Sequence, residues 1–247
     1  MDIHLPEMSY LIGARLGDGF VCEVSGKSIV GLKVKDKDFA VQFAKCLKQV
    51  LSNEKIYFQN DQGYWRVVTH SHELFVFLKS KDVHNYSIVI KCHPTEFIRG
   101  VADSEGCVSI HSKKRGYLRV KIANTDIELL KFVQVLLAEF FNIESRIQRC
   151  SETPKTKHIL YALEIRKQMH IARFANFIGF SIRRKTDRLS NIFDVEKRMK
   201  RHISLYQEVR KLHREGYGYR RIAKKLNIPK GTVTFWVRGI YNPLYLE

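Results

Sequence analysis

Residues 98–106 read IRGVADSEG, and this stretch decides the fold because a related stretch, LIGARLGDG, occurs at residues 11–19. The second copy begins 87 residues after the first. Each copy has two small residues four positions apart, Gly13 and Gly17 in the first and Gly100 and Ser104 in the second. Residues with this spacing lie on one face of a helix, where small side chains let two helix backbones approach closely.

An acid followed by a glycine ends each copy, Asp18-Gly19 in the first and Glu105-Gly106 in the second. The glycine predicts the end of a helix, with the acid in the last turn. A carboxylate is unfavourable there because the negative end of the helix dipole opposes it, and two packed helices add repulsion between their acids. A bound divalent cation would remove this penalty.

The two motifs together resemble the signature of the LAGLIDADG homing endonucleases, in the single-chain form with two pseudo-symmetric halves. The resemblance implies an α+β fold in which an αββαββα unit occurs twice, with the motif helices at the centre. It also implies one metal-binding acid from each unit, Asp18 and Glu105. The sequence departs from the family pattern at Arg15 and Arg99, where apolar or small residues are usual, and at Leu16, which replaces an acid.

The hydrophobic pattern predicts the same order of elements in residues 1–93 and 94–196, namely motif helix, hairpin, helix, hairpin and closing helix. The predicted strands of the first unit are 20–25, 28–35, 55–59 and 64–69, and its later helices are 38–51 and 72–79. Those of the second unit are 107–111, 117–123, 145–149 and 159–166, with helices 126–141 and 169–178 and a turn at 113–116. Residues 34–39 line up with 122–127, and 65–68 with 162–165.

Side chains alternate along these strands, so one face of each predicted sheet is apolar and the other is polar and basic. Two such sheets related by a pseudo-twofold axis would form a curved β-saddle that can follow a DNA major groove. The candidate DNA-contacting residues on this saddle are Lys33, Arg66, Ser109, His111, Arg119, Lys121, Arg146, Gln148 and Arg166. Cys22, Val24 and Gly31 make the first face less polar. The alternative to a DNA-binding surface is an ordinary solvated sheet face on which these charges contact only water.

The resemblance also suggests further catalytic residues. Asp36 and Asn124 follow the second strand of each unit, where the family often places a group that positions the attacking water. Lys91 and Arg183 stand late in each unit, where the family tends to place a basic residue near the scissile phosphate. Within Arg183-Arg184-Lys185 the choice of this residue stays open.

Beyond residue 197 the resemblance to the endonucleases ends. Residues 203–213 are a predicted helix, and residues 215–237 resemble a helix-turn-helix of the resolvase-like kind. The predicted third domain is therefore a small all-α unit at 197–247. Four residues of its second helix are candidate base or phosphate contacts: Lys230, Thr232, Thr234 and Arg238.

The charge of the chain indicates a polyanionic partner. The 247 residues carry a formal net charge of +18, and residues 181–247 contribute +11 of it. Nucleic acid is favoured over a membrane surface, because no amphipathic helix with an aromatic apolar face accompanies the charge. No transmembrane run or signal peptide is indicated, so we expect an intracellular protein. Five scattered cysteines without a Cys-x-x-Cys pair argue against a disulfide framework or a structural zinc site.

These observations predict a monomeric, site-specific endonuclease that uses Mg²⁺ or Mn²⁺ to hydrolyse one phosphodiester in each strand of double-stranded DNA. One alternative is a DNA-binding transcriptional regulator without activity, since a bacterial sporulation-regulator family couples a degenerate LAGLIDADG domain to a helix-turn-helix. Another is an RNA-splicing maturase, whose partner would be intron RNA.

Overall fold

The computed structural model describes residues 1–52, 54–112, 117–152 and 159–240. The predicted turn at 113–116 and the end of the predicted third domain, 241–247, lie outside these ranges. The first unit comprises, in order, α1 (Pro6–Leu16), β1 (Gly19–Val24), β2 (Lys27–Val34), α2 (Lys37–Val50), β3 (Ile56–Asp61), β4 (Tyr64–Thr69), α3 (His72–Leu78), a 3₁₀ turn (Val83–Tyr86) and α4 (Ser87–Cys92).

The second unit repeats this order. It comprises α5 (Pro94–Glu105), β5 (Gly106–Ser112), β6 (Tyr117–Asn124), α6 (Ile127–Phe141), β7 (Arg146–Glu152), β8 (Ile159–Ile165), α7 (Gln168–Phe177) and α8 (Arg183–Ser190). Three helices follow: α9 (Ile192–Arg214), α10 (Tyr219–Leu226) and α11 (Lys230–Val237). The predicted α+β class is confirmed, and the strand positions agree with the alternation pattern to within a few residues.

Each unit contains one four-stranded antiparallel sheet. The strand orders are β1-β2-β4-β3 in the first sheet and β5-β6-β8-β7 in the second. In the first unit both tight turns have two successive residues with positive φ, Ser25-Gly26 and Gln62-Gly63. Such a turn has the twist that joins two antiparallel strands without splaying them.

The strand register corrects the predicted alignment of the two units. Gly19 lies opposite Leu32 and Gly106 lies opposite Ile122, so Leu32 rather than Val34 is equivalent to Ile122. Asp36 and Asp126 are then the equivalent N-caps of α2 and α6. This shift of two residues leaves every side chain on the same face of a strand, so alternation alone could not reveal it. The predicted alignment of 65–68 with 162–165 is wrong by one residue: Leu32 pairs with Val67 and Ile122 with Leu163, so residues 65–68 are equivalent to 161–164.

The two motif helices, α1 and α5, pack at the centre with their backbones in close contact. A Cβ atom at Gly13 would overlap the carbonyl oxygen of Phe97, and one at Gly100 would overlap that of Tyr10. The close approach predicted from the small residues therefore exists. However, α1 ends at Leu16, so Asp18 lies just beyond the helix rather than in its last turn. Glu105 is the last residue of α5.

Helix α9 extends well beyond the predicted helix at 203–213, and the predicted domain boundary at 197 falls inside it. Its first half contributes Ile192, Val195 and Met199 to the large core that α1, α5 and both sheets share. Its second half forms a separate small core with α10 and α11, built from Tyr206, Val209, Leu212, Ile222, Val233 and Trp236. Among the described residues, none of the helices has the length and apolar character to cross a bilayer.

Candidate functional site

The ends of the two motifs meet where the helix pair joins the two sheets. The backbone N–H of Asp18 donates a hydrogen bond to Ser104 Oγ at 2.6 Å. A Cβ atom at Gly17 would collide with the Ser104 side chain and would lie 3.2 Å from Glu105 Cγ. The small residues at 17 and 104 therefore bring the two acids, Asp18 and Glu105, to the same place.

Both acids hold their protons more tightly than a free carboxyl group does. Burial, followed by repulsion from Asp18, raises the pKa of Glu105 to about 7. Burial also raises the pKa of Asp18, and the charge of Asp36 adds to that effect. Two partly desolvated carboxylates with too little positive charge around them explain both shifts. The site therefore favours any ligand that brings positive charge.

Lys185 is the buried cation of this site. Its ammonium donates hydrogen bonds to the carbonyl oxygens of Ala102 and Asp103 in the last turn of α5, where the helix dipole also favours a cation. Its charge lowers the pKa of both Asp18 and Glu105, which limits the upward shifts caused by burial. Of the run Arg183-Arg184-Lys185, the structure thus places Lys185 at the acid pair.

Asn124 and Asp36 also lie near the acid pair. The amide of Asn124 donates a hydrogen bond to Glu105 Oε1 at 3.1 Å, and its own Oδ1 accepts from the Asp126 N–H at 2.8 Å. Asp36 accepts two hydrogen bonds from the Arg184 guanidinium, at 2.9 and 2.6 Å. This bidentate pair holds the pKa of Asp36 below its usual range and ties α8 of the second unit to α2 of the first.

Two predicted catalytic residues lie elsewhere. Lys91 lines a cleft of about 410 Å³ between α4 and α6, together with Glu128 and Lys131. Arg183 begins α8, and its backbone N–H donates to Asp38 Oδ2 at 3.0 Å while its side chain is exposed. A position late in a unit does not by itself identify the basic residue that is buried at the acid pair, which is Lys185.

The two arginines that depart from the family motif have different surroundings. Arg99 Nε donates to the carbonyl oxygen of Ile178 at 2.7 Å and so satisfies the end of α7. Arg15 is buried in α1, and its Nε has no hydrogen-bond partner among the described residues. Burial lowers the pKa of Arg15 from its ordinary value.

The donors at the acid pair suit a hard divalent cation. Asp18 and Glu105 offer carboxylate oxygens, the ligand type that Mg²⁺ and Mn²⁺ prefer. Within the described ranges no group of three or more His, Cys, Asp or Glu residues could hold a metal ion. Mg²⁺ is commonly held by one or two carboxylates, with waters and substrate phosphates completing its shell. The two acids and their raised pKa values therefore fit a cation of this kind.

We expect Mg²⁺ to stabilise the free protein more strongly as the pH rises from 6 to 8. The pKa of Glu105 is about 7 in the folded protein, whereas its ordinary value is 4.5. The free energy of unfolding therefore falls as the pH rises from 6 to 8, because Glu105 loses its proton in the folded protein over this range. Because the carboxyl is partly exposed, this loss is about 1–2 kcal/mol. Thermal melts with and without Mg²⁺ measure the effect. An equal Mg²⁺ effect in Glu105→Gln would place the cation elsewhere.

The open face of the second sheet, the face not packed on helices, carries a connected polar network. Its centre is Glu164, whose side chain is only 1% exposed although it is a carboxylate. Glu164 accepts hydrogen bonds from Arg119 at 3.3 Å, from Arg166 at 2.7 Å and from Gln148 at 2.9 Å. Arg166 also donates to Gln148 Oε1 at 3.1 Å. Sequence reasoning named the three outer residues as DNA contacts but missed Glu164, because an isolated acid in a strand gives no signal.

The remaining candidate DNA-contacting residues of the sheets lie on or beside the open faces. Lys121 and Arg146 both pair with Glu164 across neighbouring strands, and Ser109 lies opposite Arg119. His111 is exposed at a bulge near the end of β5. In the first sheet Lys33 lies opposite Arg66, and its ammonium forms an ion pair with Asp61 at 2.8 Å.

The four candidates of the C-terminal helices lie on α11 or just after it. Lys230 and Arg238 are exposed, and Thr232 and Thr234 are half-exposed. The hydroxyl of Thr234 donates to the Lys230 carbonyl oxygen at 3.0 Å, within the helix. Val233 and Trp236 face the small core, so the basic and hydroxyl side chains stand on the outer side of α11.

Comparisons with known proteins agree with this architecture. Residues 93–179 match the family described as the LAGLIDADG-like domain. Two proteins of Methanocaldococcus jannaschii are similar in sequence. MJ0398 is 28% identical over 204 residues, which is 76% of this chain and 72% of that protein. MJ0314 is 32% identical over 131 residues, half of each protein.

Solved structures share the fold at low sequence identity. I-DmoI in complex with DNA and Mn has a TM-score of 0.54 and 18% identity, over 72% of this chain and 98% of that one. Full-length DUF199/WhiA from Thermatoga maritima has a TM-score of 0.51 and 17% identity, over 95% of this chain and 89% of that one. The predicted resemblance to the LAGLIDADG family is therefore confirmed.

Proposed function

We propose that this protein is a site-specific double-strand DNA endonuclease that uses a divalent cation. The observation that carries the proposal is the acid pair: equivalent positions of two units supply Asp18 and Glu105 to one place, beside a buried lysine. One chain holds both acids, so a monomer can act on both strands. Relatives of this fold include the homing endonuclease I-DmoI, solved with DNA and with Mn or Ca.

The residues around the acid pair have distinct roles in this proposal. Asp18 and Glu105 hold the cation, and Asn124 fixes the orientation of the Glu105 carboxylate through its hydrogen bond. Lys185 lowers the pKa of both acids, which limits the upward shifts caused by burial, and it would add positive charge near the phosphate under attack. A bound Mg²⁺ supplies Lewis-acid stabilisation and lowers the pKa of a coordinated water.

The rest of the chain positions the DNA. The two open sheet faces would follow the major groove on either side of the acid pair, and helix α11 would act as the recognition helix of a helix-turn-helix, with Lys230 at its start and Arg238 just after its end. A net charge of +18 favours many phosphate contacts, so affinity should fall steeply with salt. Such a protein would work wherever the cell keeps its DNA.

The decisive experiment selects bound duplexes from a random pool in Ca²⁺ and then adds Mg²⁺ to the enriched sequences. Staggered double-strand ends support the endonuclease. Enrichment of a sequence that stays intact in Mg²⁺ and Mn²⁺ identifies instead a DNA-binding protein without cleavage, such as a regulator. A parallel selection from structured RNA pools tests the maturase alternative.

Lys185→Met is expected to slow cleavage about 10²-fold and to shift the acidic limb of the pH–rate profile to higher pH. Loss of the ammonium removes the charge that lowers the pKa of Asp18 and Glu105, so both acids ionise at higher pH. Lys91→Met removes the same charge from the distant cleft and serves as the control. An unchanged pH profile in Lys185→Met would remove Lys185 from this role.

Glu164→Gln is expected to reduce discrimination between the selected site and a mismatched site about tenfold, while binding to random DNA tightens. The substitution frees Arg119 and Arg166 from a fixed geometry and raises the charge of the sheet by one. Glu144→Gln is the matched control, because Glu144 is an exposed acid of the same unit, paired with Lys167. Dissociation constants for both duplexes give the ratio. Equal ratios in the two variants would contradict the positioning role.

A further inference from the structure

The strand registers allow the two open faces to be compared position by position. Gly19 and Gly106 directly follow the two acids and begin β1 and β5. Gly19 pairs with Leu32 on β2, and Gly106 pairs with the equivalent residue Ile122 on β6. Each row of residues paired across the strands of the first sheet therefore has a known counterpart in the second sheet. Equivalent rows lie at equivalent distances from the acid pair, so they would face equivalent base pairs of a bound duplex.

The first sheet has an apolar row across all four strands. Phe20 pairs with Gly31, Gly31 with Val68, and Val68 with Tyr57. A Cβ atom at Gly31 would overlap the Phe20 ring, so this ring lies across the β2 backbone. Val68 is 6% exposed and Tyr57 is 37% exposed.

The equivalent row of the second sheet is charged. Cys107 pairs with Lys121, Lys121 with Glu164, and Glu164 with Arg146. The neighbouring row nearer the acid pair reverses this contrast. It consists of Lys33, Arg66 and Gln59 in the first sheet, and of Ala123, Ala162 and Gln148 in the second. The two sheets therefore present different chemistry to the same part of each half-site.

The apolar row lies within a cationic surface. Lys33 and Arg66 stand on its side nearer the acid pair, and the Lys55 ammonium lies 5.2 Å from the centre of the Tyr57 ring. Such cations can bind the phosphates on either side of a DNA groove. The apolar row would therefore lie on the surface that faces the DNA. Polar base edges placed on Phe20 and Tyr57 would lose water without gaining a partner, which is costly.

We propose that the first sheet recognises the C5 methyl group of thymine in the major groove, while the second sheet reads base edges through hydrogen bonds. This inference rests on the proposed DNA binding. The thymine methyl is the one apolar group that the four bases present in the major groove. Phe20 and Tyr57 offer it an apolar surface, whereas Val68 is largely buried. The target site is therefore asymmetric, with thymine required on the half that faces the first sheet.

The test replaces each thymine of the selected duplex, one at a time, with deoxyuridine. Deoxyuridine lacks only the methyl group and keeps every hydrogen-bonding group of thymine. Each contacted methyl that is lost should weaken binding about threefold to fourfold, and such positions should fall in one half-site only. Filter-binding or anisotropy titrations in Ca²⁺ measure the dissociation constants without cleavage.

Two variants connect this effect to the first sheet. Tyr57→Gln replaces the exposed ring of the apolar row by a polar side chain, and it should reduce the deoxyuridine penalty to less than twofold. Ala123→Ser adds a hydroxyl to the second sheet and should leave the penalty unchanged. Deoxyuridine without effect at every position, or a penalty that persists in Tyr57→Gln, overturns the inference while DNA binding stands. A selection that enriches no duplex overturns the DNA-binding proposal itself.

Discussion

Asp18→Asn and Glu105→Gln are each expected to lower double-strand cleavage at least about 10³-fold while leaving affinity for the target DNA nearly unchanged. Both substitutions keep the size of the side chain and remove its charge. If both acids hold the cation as proposed, either substitution would remove one ligand, and metal stabilisation of such a transition state is worth several kcal/mol. Cleavage is measured in single-turnover reactions with Mg²⁺, and affinity is measured in Ca²⁺.

Asp126→Asn provides the matched control for these substitutions. The Asp126 carboxylate caps α6 by accepting from the N–H groups of Glu128 and Leu129, a role that asparagine also fills. Asp126 lies two residues after Asn124, yet its carboxylate makes no contact with the acid pair among the described hydrogen bonds. Its cleavage rate should stay within about twofold of the unchanged protein. Full activity in Asp18→Asn or Glu105→Gln would show that the acid pair is not the catalytic site.

Much of the fold follows from local patterns in the sequence. Strand alternation, the turn glycines and the duplicated order of elements depend on neighbours within a few residues, so they predict where β1–β8, α1–α3 and α5–α7 lie, whereas α4 was not predicted. The approach of Gly13 and Gly100 was also readable, because spacing on a helix surface is a local property. The sequence also named Asn124 as a candidate site residue, and its amide contacts Glu105.

What the sequence did not reveal depends on contacts between distant segments. Lys185 is important because α8 packs its ammonium under the end of α5, and no local pattern distinguishes it from Arg183 or Arg184. Glu164 is hidden for the same reason, since its partners come from three other segments. Helix α9 runs through the predicted boundary because Ile192, Val195 and Met199 pack on the main core, which hydrophobic spacing alone cannot assign.

Gly100→Ala is expected to destabilise the protein, whereas Gly231→Ala stabilises it, although both place one methyl group in a helix. Alanine is better than glycine in a helix by about 1 kcal/mol, which is the expected gain at Gly231, where a Cβ atom meets nothing within 4 Å. At Gly100 the same atom would overlap the Tyr10 carbonyl oxygen and crowd the Ala14 nitrogen. Backbone atoms cannot rotate away, so the two helices must separate.

The cost at Gly100 is that of an overpacked core, about 1–3 kcal/mol after the helix gain is subtracted, and thermal or urea unfolding measures it. A Gly100→Ala protein as stable as Gly231→Ala would show that α1 and α5 are not in backbone contact. Separation of the helices also moves Gly17 away from Ser104, and with it Asp18 from Glu105. Repulsion between the acids then weakens, so the pKa of Glu105 should fall from about 7 towards its ordinary value. On the proposed function, a folded Gly100→Ala protein should therefore bind DNA and yet cleave it slowly, because the packing of two glycines sets the separation of Asp18 and Glu105.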